Sequence, residues 1–282
     1  MILRNATRDD LDIALDRAAT EGWNPGLEDA AAFWAADPQG FFVAMVANRP
    51  VAFVSVVNHS ADQAFLGLYL CGPAWRGKGI VMAVWIHAMS HAGARSIGLD
   101  GVAAQQANYA KSGFVRVGGT QRWEGHVSAV PHPGIRQAGI RRAGIRRAGP
   151  EDLTLLQALD TAANGYRREA FLKTWINATL TRQTGIFADG SGFATARRCR
   201  TGIKIGPLIA PDADASLQLV HAASGHTKAA KITLDLPETN TNLAGRLADL
   251  GFTMGFTTAR MVRGDPPRPT AQLQAIGTME LG

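Results

Sequence analysis

The sequence predicts an α/β protein made of two domains of one plan joined by a basic linker. Three observations carry this. The stretch from Leu66 to Phe114 reads as strand, glycine-spaced turn, helix, strand and helix end. Segments headed by Leu3 and by Ile145 echo each other, and a pentad tract of Gly, Ile and Arg separates them. The length of 282 residues agrees with two domains at roughly 150 residues each, and either half is long enough to bury a core.

The elements follow in chain order. Leu3-Arg4-Asn5 begins as a strand, and Thr7 with Asp10 has the form of a capping box opening a helix. Leu11, Leu15 and Ala18 share one face of that helix. Glu21-Gly22-Trp23 closes it, and Trp23-Asn24-Pro25-Gly26 is a turn carrying a large aromatic. A strand from about Gln63 to Cys71 is halted by Gly72-Pro73. Arg76-Gly77-Lys78-Gly79 then opens a helix whose apolar stripe is Val81, Val84, Trp85 and Ala88. Such a turn leaves backbone N–H groups unpaired at the positive end of a helix, and its glycines admit a phosphate closely, which suggests a bound pyrophosphate. A strand over Ser96–Val102 follows, and Tyr109-Ala110-Lys111-Ser112-Gly113-Phe114 ends the next helix.

In the second copy Ile145-Arg146-Arg147 is the strand, Pro150 fits the first helical position, and Asn164-Gly165-Tyr166 stands against Glu21-Gly22-Trp23. Leu250-Gly251-Phe252 answers Ser112-Gly113-Phe114. Where the first copy has its glycine turn, the second has Gly206-Pro207-Leu208-Ile209-Ala210-Pro211-Asp212. The two prolines remove backbone donors and Asp212 would repel a pyrophosphate. The expected division is 1–130, a linker over 131–144, 145–264, and a Pro-rich polar tail over 265–282 that is expected to be poorly ordered or packed only in part.

The net charge of +6 is local in origin: Arg136, Arg141, Arg142, Arg146 and Arg147 lie in or beside the pentads, and without them +1 remains. Nucleic acid is therefore not an expected partner. No segment reaches the ~20 apolar residues of a membrane span, so no membrane role is expected. Cys71 and Cys199 make no disulfide framework, and a reducing cytoplasm is the expected compartment. His87 and His91 have an i, i+4 spacing but no accompanying Glu or third ligand, so no metal is expected.

Arg76, Gly79 and their spacing resemble the Q/R-x-x-G-x-G/A signature of the GNAT superfamily of acyl-CoA-dependent N-acetyltransferases. Tyr109, Lys111, Gly113 and Phe114 resemble its later Y-x-K-x-G-F element. Val81 stands where Gly or Ala is usual, and Val102 where the family often has Asn. The pairing of an intact first copy with an altered second resembles a tandem subgroup with an active N-terminal and a degenerate C-terminal domain. The resemblance implies two domains, each with a mixed, mostly antiparallel central sheet flanked by helices.

It also implies acetyl-CoA as co-substrate and a small-molecule amine as acceptor. Leu70 and Cys71 would meet the pantetheine where the strand from Leu68 splays, and Arg76, Gly77, Lys78, Gly79, Ile80 and Val81 would meet the phosphates. Tyr109 would protonate the departing thiolate. Asp100 and Glu21 are the candidate bases, with a water relay as an equal option, and Trp23 and Asn24 the candidate acceptor contacts. Two other readings stay open, a CoA-binding pseudoenzyme or scaffold and a protein N-acetyltransferase. A homodimer is compatible with the sequence.

Overall fold

The computed structural model describes residues 1–126, 128, 144–225 and 231–282. The expected linker lies outside the described residues except for Gly144. The first half contains β1 (Ile2–Asn5), α1 (Arg8–Thr20), α2 (Asp29–Ala36), β2 (Phe41–Val46), β3 (Arg49–Asn58) and β4 (Gln63–Cys71). It continues with α3 (Ile80–Met89), β5 (Ser96–Gly101), α4 (Gln106–Lys111) and β6 (Val115–His126). The second half repeats this plan with β7 (Ile145–Arg147), α5 (Leu153–Asn164), α6 (Glu169–Trp175), β8 (Arg182–Phe187), β9 (Phe193–Arg198) and β10 (Ile203–Ile209). Then come α7 (Ala213–Gly225), β11 (Lys231–Pro237), α8 (Thr241–Asp249), β12 (Thr253–Arg263) and a short added strand, β13 (Leu273–Ala275).

The repeat begins with matching local chemistry. Asp10 accepts from the Thr7 backbone N–H and from Arg4 at 2.6 Å. Asp152 accepts from the Gly149 N–H and from Arg146 at 2.7 Å. An arginine on each opening strand thus binds the carboxylate that caps the following helix.

The two halves share one sheet, in the order β1-β2-β3-β4-β5-β12-β6-β11-β10-β9-β8-β7, with β13 on β10. The pairs are antiparallel except β4 with β5 and β10 with β11. The order shows an exchange: each half's last strand pairs with the other half's fifth-strand position. β6 lies on β11, and β12 lies on β5. The sequence division at residue 130 therefore separates the chain but not the sheets, because 115–126 complete the second half and 253–263 the first.

Register makes the exchange symmetric. Thr120 stands opposite Thr258 in the β6–β12 pair, Asp235 opposite Arg122, and Asp100 opposite Arg260. Arg122 grips Asp235 with two bonds of 2.7 and 2.8 Å, and Arg260 grips Asp100 at 3.0 and 2.8 Å. Thr120 and Thr258 also donate to Asp100. Each Asp belongs to one half and its Arg to the strand lent by the other. A second contact joins α2 to α6, where Phe33 stacks on Trp175 at 6.2 Å and buried Asp29 holds Arg182 and Arg197.

The tail corrects the sequence expectation. Leu273, Ala275, Ile276 and Leu281 are buried, and β13 is hydrogen-bonded into the sheet. His59 bonds the Leu281 carbonyl through Nε2 at 2.7 Å, and Arg168 bonds the carbonyl of Gly282. Burial drives the His59 ring down to about 4, so it is neutral near pH 7 and donates to that carbonyl. Apolar residues spaced through a Pro-rich stretch gave no helix or strand period, which is why the packing was not legible.

Burial alone would push the Asp235 carboxyl up, but Arg122 outweighs it and holds it below its ordinary value. Its stabilising contribution is complete above the unfolded-state value and is lost as pH falls through the lower folded one. Arg122→Met should cost about 3–5 kcal/mol in urea unfolding at pH 7, because a buried charge loses its partner. Arg122→Met with Asp235→Leu should recover most of that. Equal losses in the single and double variants would show that the pair does not hold the exchanged strand.

Candidate active site

β4 and β5 pair in parallel only from Gln63/Ser96 to Leu66/Leu99. Beyond that point β4 bulges: Leu68 and Tyr69 together oppose Val54, and Leu68 has φ +45°. The strand turns away from β5, and a gap opens between Leu68–Cys71 and the end of β5. The backbone groups on that side of β4 have no strand partner among the described residues, so they can pair with an extended ligand.

At the end of β4 the chain makes the glycine turn. Gly77 and Gly79 have φ of +72° and +73°, and an added Cβ at either would meet nothing within 4 Å. The glycines are required by backbone geometry, and the space above them is open. Gly79 caps α3 with no side-chain hydrogen bond, so the amides at the helix start are free for an anion. Lys78 lies over the Trp75 ring at 5.2 Å, and Arg76 bonds the Cys71 carbonyl at 3.2 Å and the Glu21 carboxylate. Ile80 is buried, Val81 packs on the α3 core, and Leu70 is buried on the opposite face of β4.

Tyr109 lies on α4 beside the gap. Its ring stacks on Trp85 at 5.5 Å and meets Tyr69 edge-on at 6.2 Å. A Cβ on Gly101 would sit 2.9 Å from it, so the ring lies directly against β5. Burial first, and the neighbouring Tyr69 second, push the Tyr109 phenol well above its ordinary value. It therefore stays protonated across the neutral and mildly alkaline range. Burial also raises Tyr69 and Cys71.

The other site residues are drawn into contacts that sequence could not show. Asp100 lies on the face opposite Tyr109, with both oxygens on Arg260. Glu21 is tied to Arg76. Asn24, at φ +53°, exchanges two hydrogen bonds with Thr201 of the second half, at 2.8 and 3.2 Å. The Trp23 carbonyl accepts from Lys204 at 2.8 Å and Arg122 at 3.4 Å. Phe256 of β12 lies 5.7 Å from Arg122 and is partly exposed. Tyr69, Arg122, Lys204 and Phe256 were not read from the sequence. Aligning Thr120-Gln121-Arg122 with Thr258-Ala259-Arg260 would have marked the arginines. His91 bonds Asp37 at 2.7 Å, and no group of three metal-binding side chains occurs among the described residues.

The second half has the same splay but fills it. β10 leaves β11 after Ile205/Leu234, and β13 pairs with β10 there, Leu208 opposite Ala275 and Ile209 opposite Leu273. Ile276 N–H donates to the Asp235 carbonyl across the gap at 2.9 Å. At the start of α7, Asp212 accepts from the Ala215 N–H at 2.8 Å, placing a carboxylate where α3 presents bare amides.

A splayed parallel pair ending in an anion-ready turn, on a sheet built from two exchanged halves, defines a tandem-domain acyltransferase. The chain belongs to the GNAT acetyltransferase family. Residues 8–114 match the acetyltransferase (GNAT) family and residues 156–277 a further acetyltransferase (GNAT) domain. It is 32% identical over 284 residues to a holothin acyltransferase of Pseudoalteromonas sp. (strain SANK 73390), covering 98% of this chain and 93% of that one. Its fold is similar to that of a proposed acetyltransferase from Pyrococcus horikoshii, with a TM-score of 0.80 at 20% identity, covering 100% of this chain and 95% of that one. It is also similar to a tandem GNAT protein from the clavulanic acid biosynthesis pathway, with a TM-score of 0.61 at 14% identity and coverages of 95% and 99%.

Gly79→Val forces a β-branched residue into a left-handed conformation at the turn, a strain of about 1–3 kcal/mol. The free turn relaxes to relieve that strain and must regain it to present its amides, so acetyl-CoA affinity measured by calorimetry should fall about tenfold or more, each ~1.4 kcal/mol being tenfold. Undiminished affinity would remove the turn from the donor site.

Proposed function

We propose that the protein transfers an acetyl group from acetyl-CoA to an amine of a small molecule, by direct attack, in the N-terminal half. The contrast between the two clefts carries this reading. The first has an open gap, free helix-start amides and a protonated tyrosine; the second has β13 in its gap and Asp212 on its amides. The similarity to a relative named a holothin acyltransferase supports acyl transfer. A bound CoA would lay its phosphates on Gly77–Val81, with Lys78 adding charge, and its pantetheine along Leu68–Cys71.

Tyr109 donates the proton that the sulfur takes up as the amine displaces it. The raised phenol keeps that proton available at working pH. Asp100 and Glu21 each carry an arginine, and we assign them to positioning: Asp100 anchors β12 beside β5, and Glu21 steadies Arg76 at the turn. The amine then loses its proton to water, which a backbone carbonyl holds in place by accepting a hydrogen bond. Trp23, held through its carbonyl, borders the acceptor together with Phe256 of the second half.

Calorimetric titration should find one acetyl-CoA per chain; two equivalent sites would sink the assignment of the second half. Tyr109→Phe should lower kcat by about 10²–10⁴-fold with donor affinity nearly unchanged, since only the hydroxyl is lost. In the parent enzyme, kcat/KM should rise with pH as the amine deprotonates and show no decline up to pH 10, the ordinary tyrosine value. Full activity of Tyr109→Phe across the pH range would remove Tyr109 as the acid.

A further inference from the structure

The exchanged register lets the surroundings of one acceptor region be laid on the other. Asp100 corresponds to Asp235 and Arg260 to Arg122, and by the same counting Phe65 corresponds to Lys204 and Phe256 to Gly118. Tyr166, after Gly165 at φ +81°, corresponds to Trp23 after Gly22 at φ +84°. The region of the first half is thus bordered by Trp23, Lys204, Arg122 and Phe256. Its counterpart in the second half is bordered by Tyr166, Phe65, Arg260 and Gly118.

That counterpart is a cavity of about 280 Å³. Gly118 is the reason it is open: where Phe256 projects a ring, Gly118 projects nothing, and a Cβ there would meet only Glu238, at 3.9 Å. Phe65, Val117, Pro266, Pro267 and Ile276 supply apolar walls. Glu238 supplies a carboxylate, held by Arg116 at 2.8 Å and partly exposed. β13 closes the donor gap next to it, so no acyl donor reaches this cavity from its own half.

We infer that this seam cavity is a second small-molecule site, which binds a small amine with an apolar body and does not acylate it. The volume lies near the lower end of ordinary ligand pockets, ~300–1,000 Å³, and suits a molecule of one ring. The apolar walls take the ring, and Glu238 takes the ammonium beside Arg116. The second half has lost its donor site and kept an acceptor-type pocket. This goes beyond the proposed acyl transfer, on which only the comparison with the first half's acceptor region rests.

The test uses benzylamine, with benzyl alcohol as the uncharged control, and reads the Val117 and Ile276 methyl resonances of the full chain by NMR. Benzylamine should shift both saturably, and benzyl alcohol should bind about tenfold more weakly or worse, as expected for loss of a charged hydrogen bond. Gly118→Phe should abolish the shifts while acetyl transfer keeps its kcat. If Gly118→Phe does not fold, Glu238→Gln must weaken benzylamine and leave benzyl alcohol unchanged. No saturable shift, or binding that survives Gly118→Phe, overturns the site; equal affinity for amine and alcohol overturns the role of Glu238. Val117 and Ile276 line this cavity, and the titration is read without an acyl donor, so the outcome is separable from any failure of the catalytic reading.

Discussion

The exchange of β6 and β12, held in register by two buried arginine–aspartate pairs, is the constraint on which the rest of the molecule depends. Backbone pairing alone would let each half close its own sheet. Arg122 on β6 instead finds Asp235 in the second half, and Arg260 on β12 finds Asp100 in the first. A buried charge without its partner costs several kcal/mol, so a chain with either strand shifted out of register would leave two such charges uncompensated. The pairs therefore act as registry devices as much as sources of stability. The exchange also ties the halves together, because in this fold each is completed by the other's last strand.

Structural asymmetry grows on this symmetric frame from a few residues. Both halves splay after the parallel pair, at Gly67 and at Gly206, and an added Cβ at either glycine would collide with the tail backbone. At Gly206 the tail goes on to pair with β10 and fills the gap; at Gly67 it only passes over the face. Gly79 leaves helix-start amides bare, whereas Asp212 caps the corresponding ones. One plan thus gives a cleft open to an extended ligand and a cleft closed by the protein's own chain. The exchange also brings Phe256 beside Arg122 and Thr258 onto Asp100, so the second half shapes the surroundings of the first.

Much of the site was legible because its demands are local. A positive φ at Gly77 and Gly79 needs glycine whatever surrounds it, and Tyr109 is placed by a short helix that starts only a few residues after β5. The fold of each half was legible for a similar reason: capping aspartates, apolar stripes and turn residues lie within a few positions of one another. What escaped was non-local. Asp100 reads as a free carboxylate until Arg260, far along the chain, is brought across from it, and Asn24 reads as a loop residue until Thr201 takes both its hydrogen-bonding ends.

The sequence by itself determined the repeat, the anion-ready turn, the tyrosine beside it and the loss of that turn in the second copy, since each is written in adjacent residues and their backbone preferences. Only the tertiary structure decided which half owns each final strand, where the tail goes and which carboxylates are already engaged. The physical reason is that strand pairing carries no sequence code of its own. β6 and β12 carry equivalent arginines and are equally able to pair with β5, so neither strand by itself says which half it will complete.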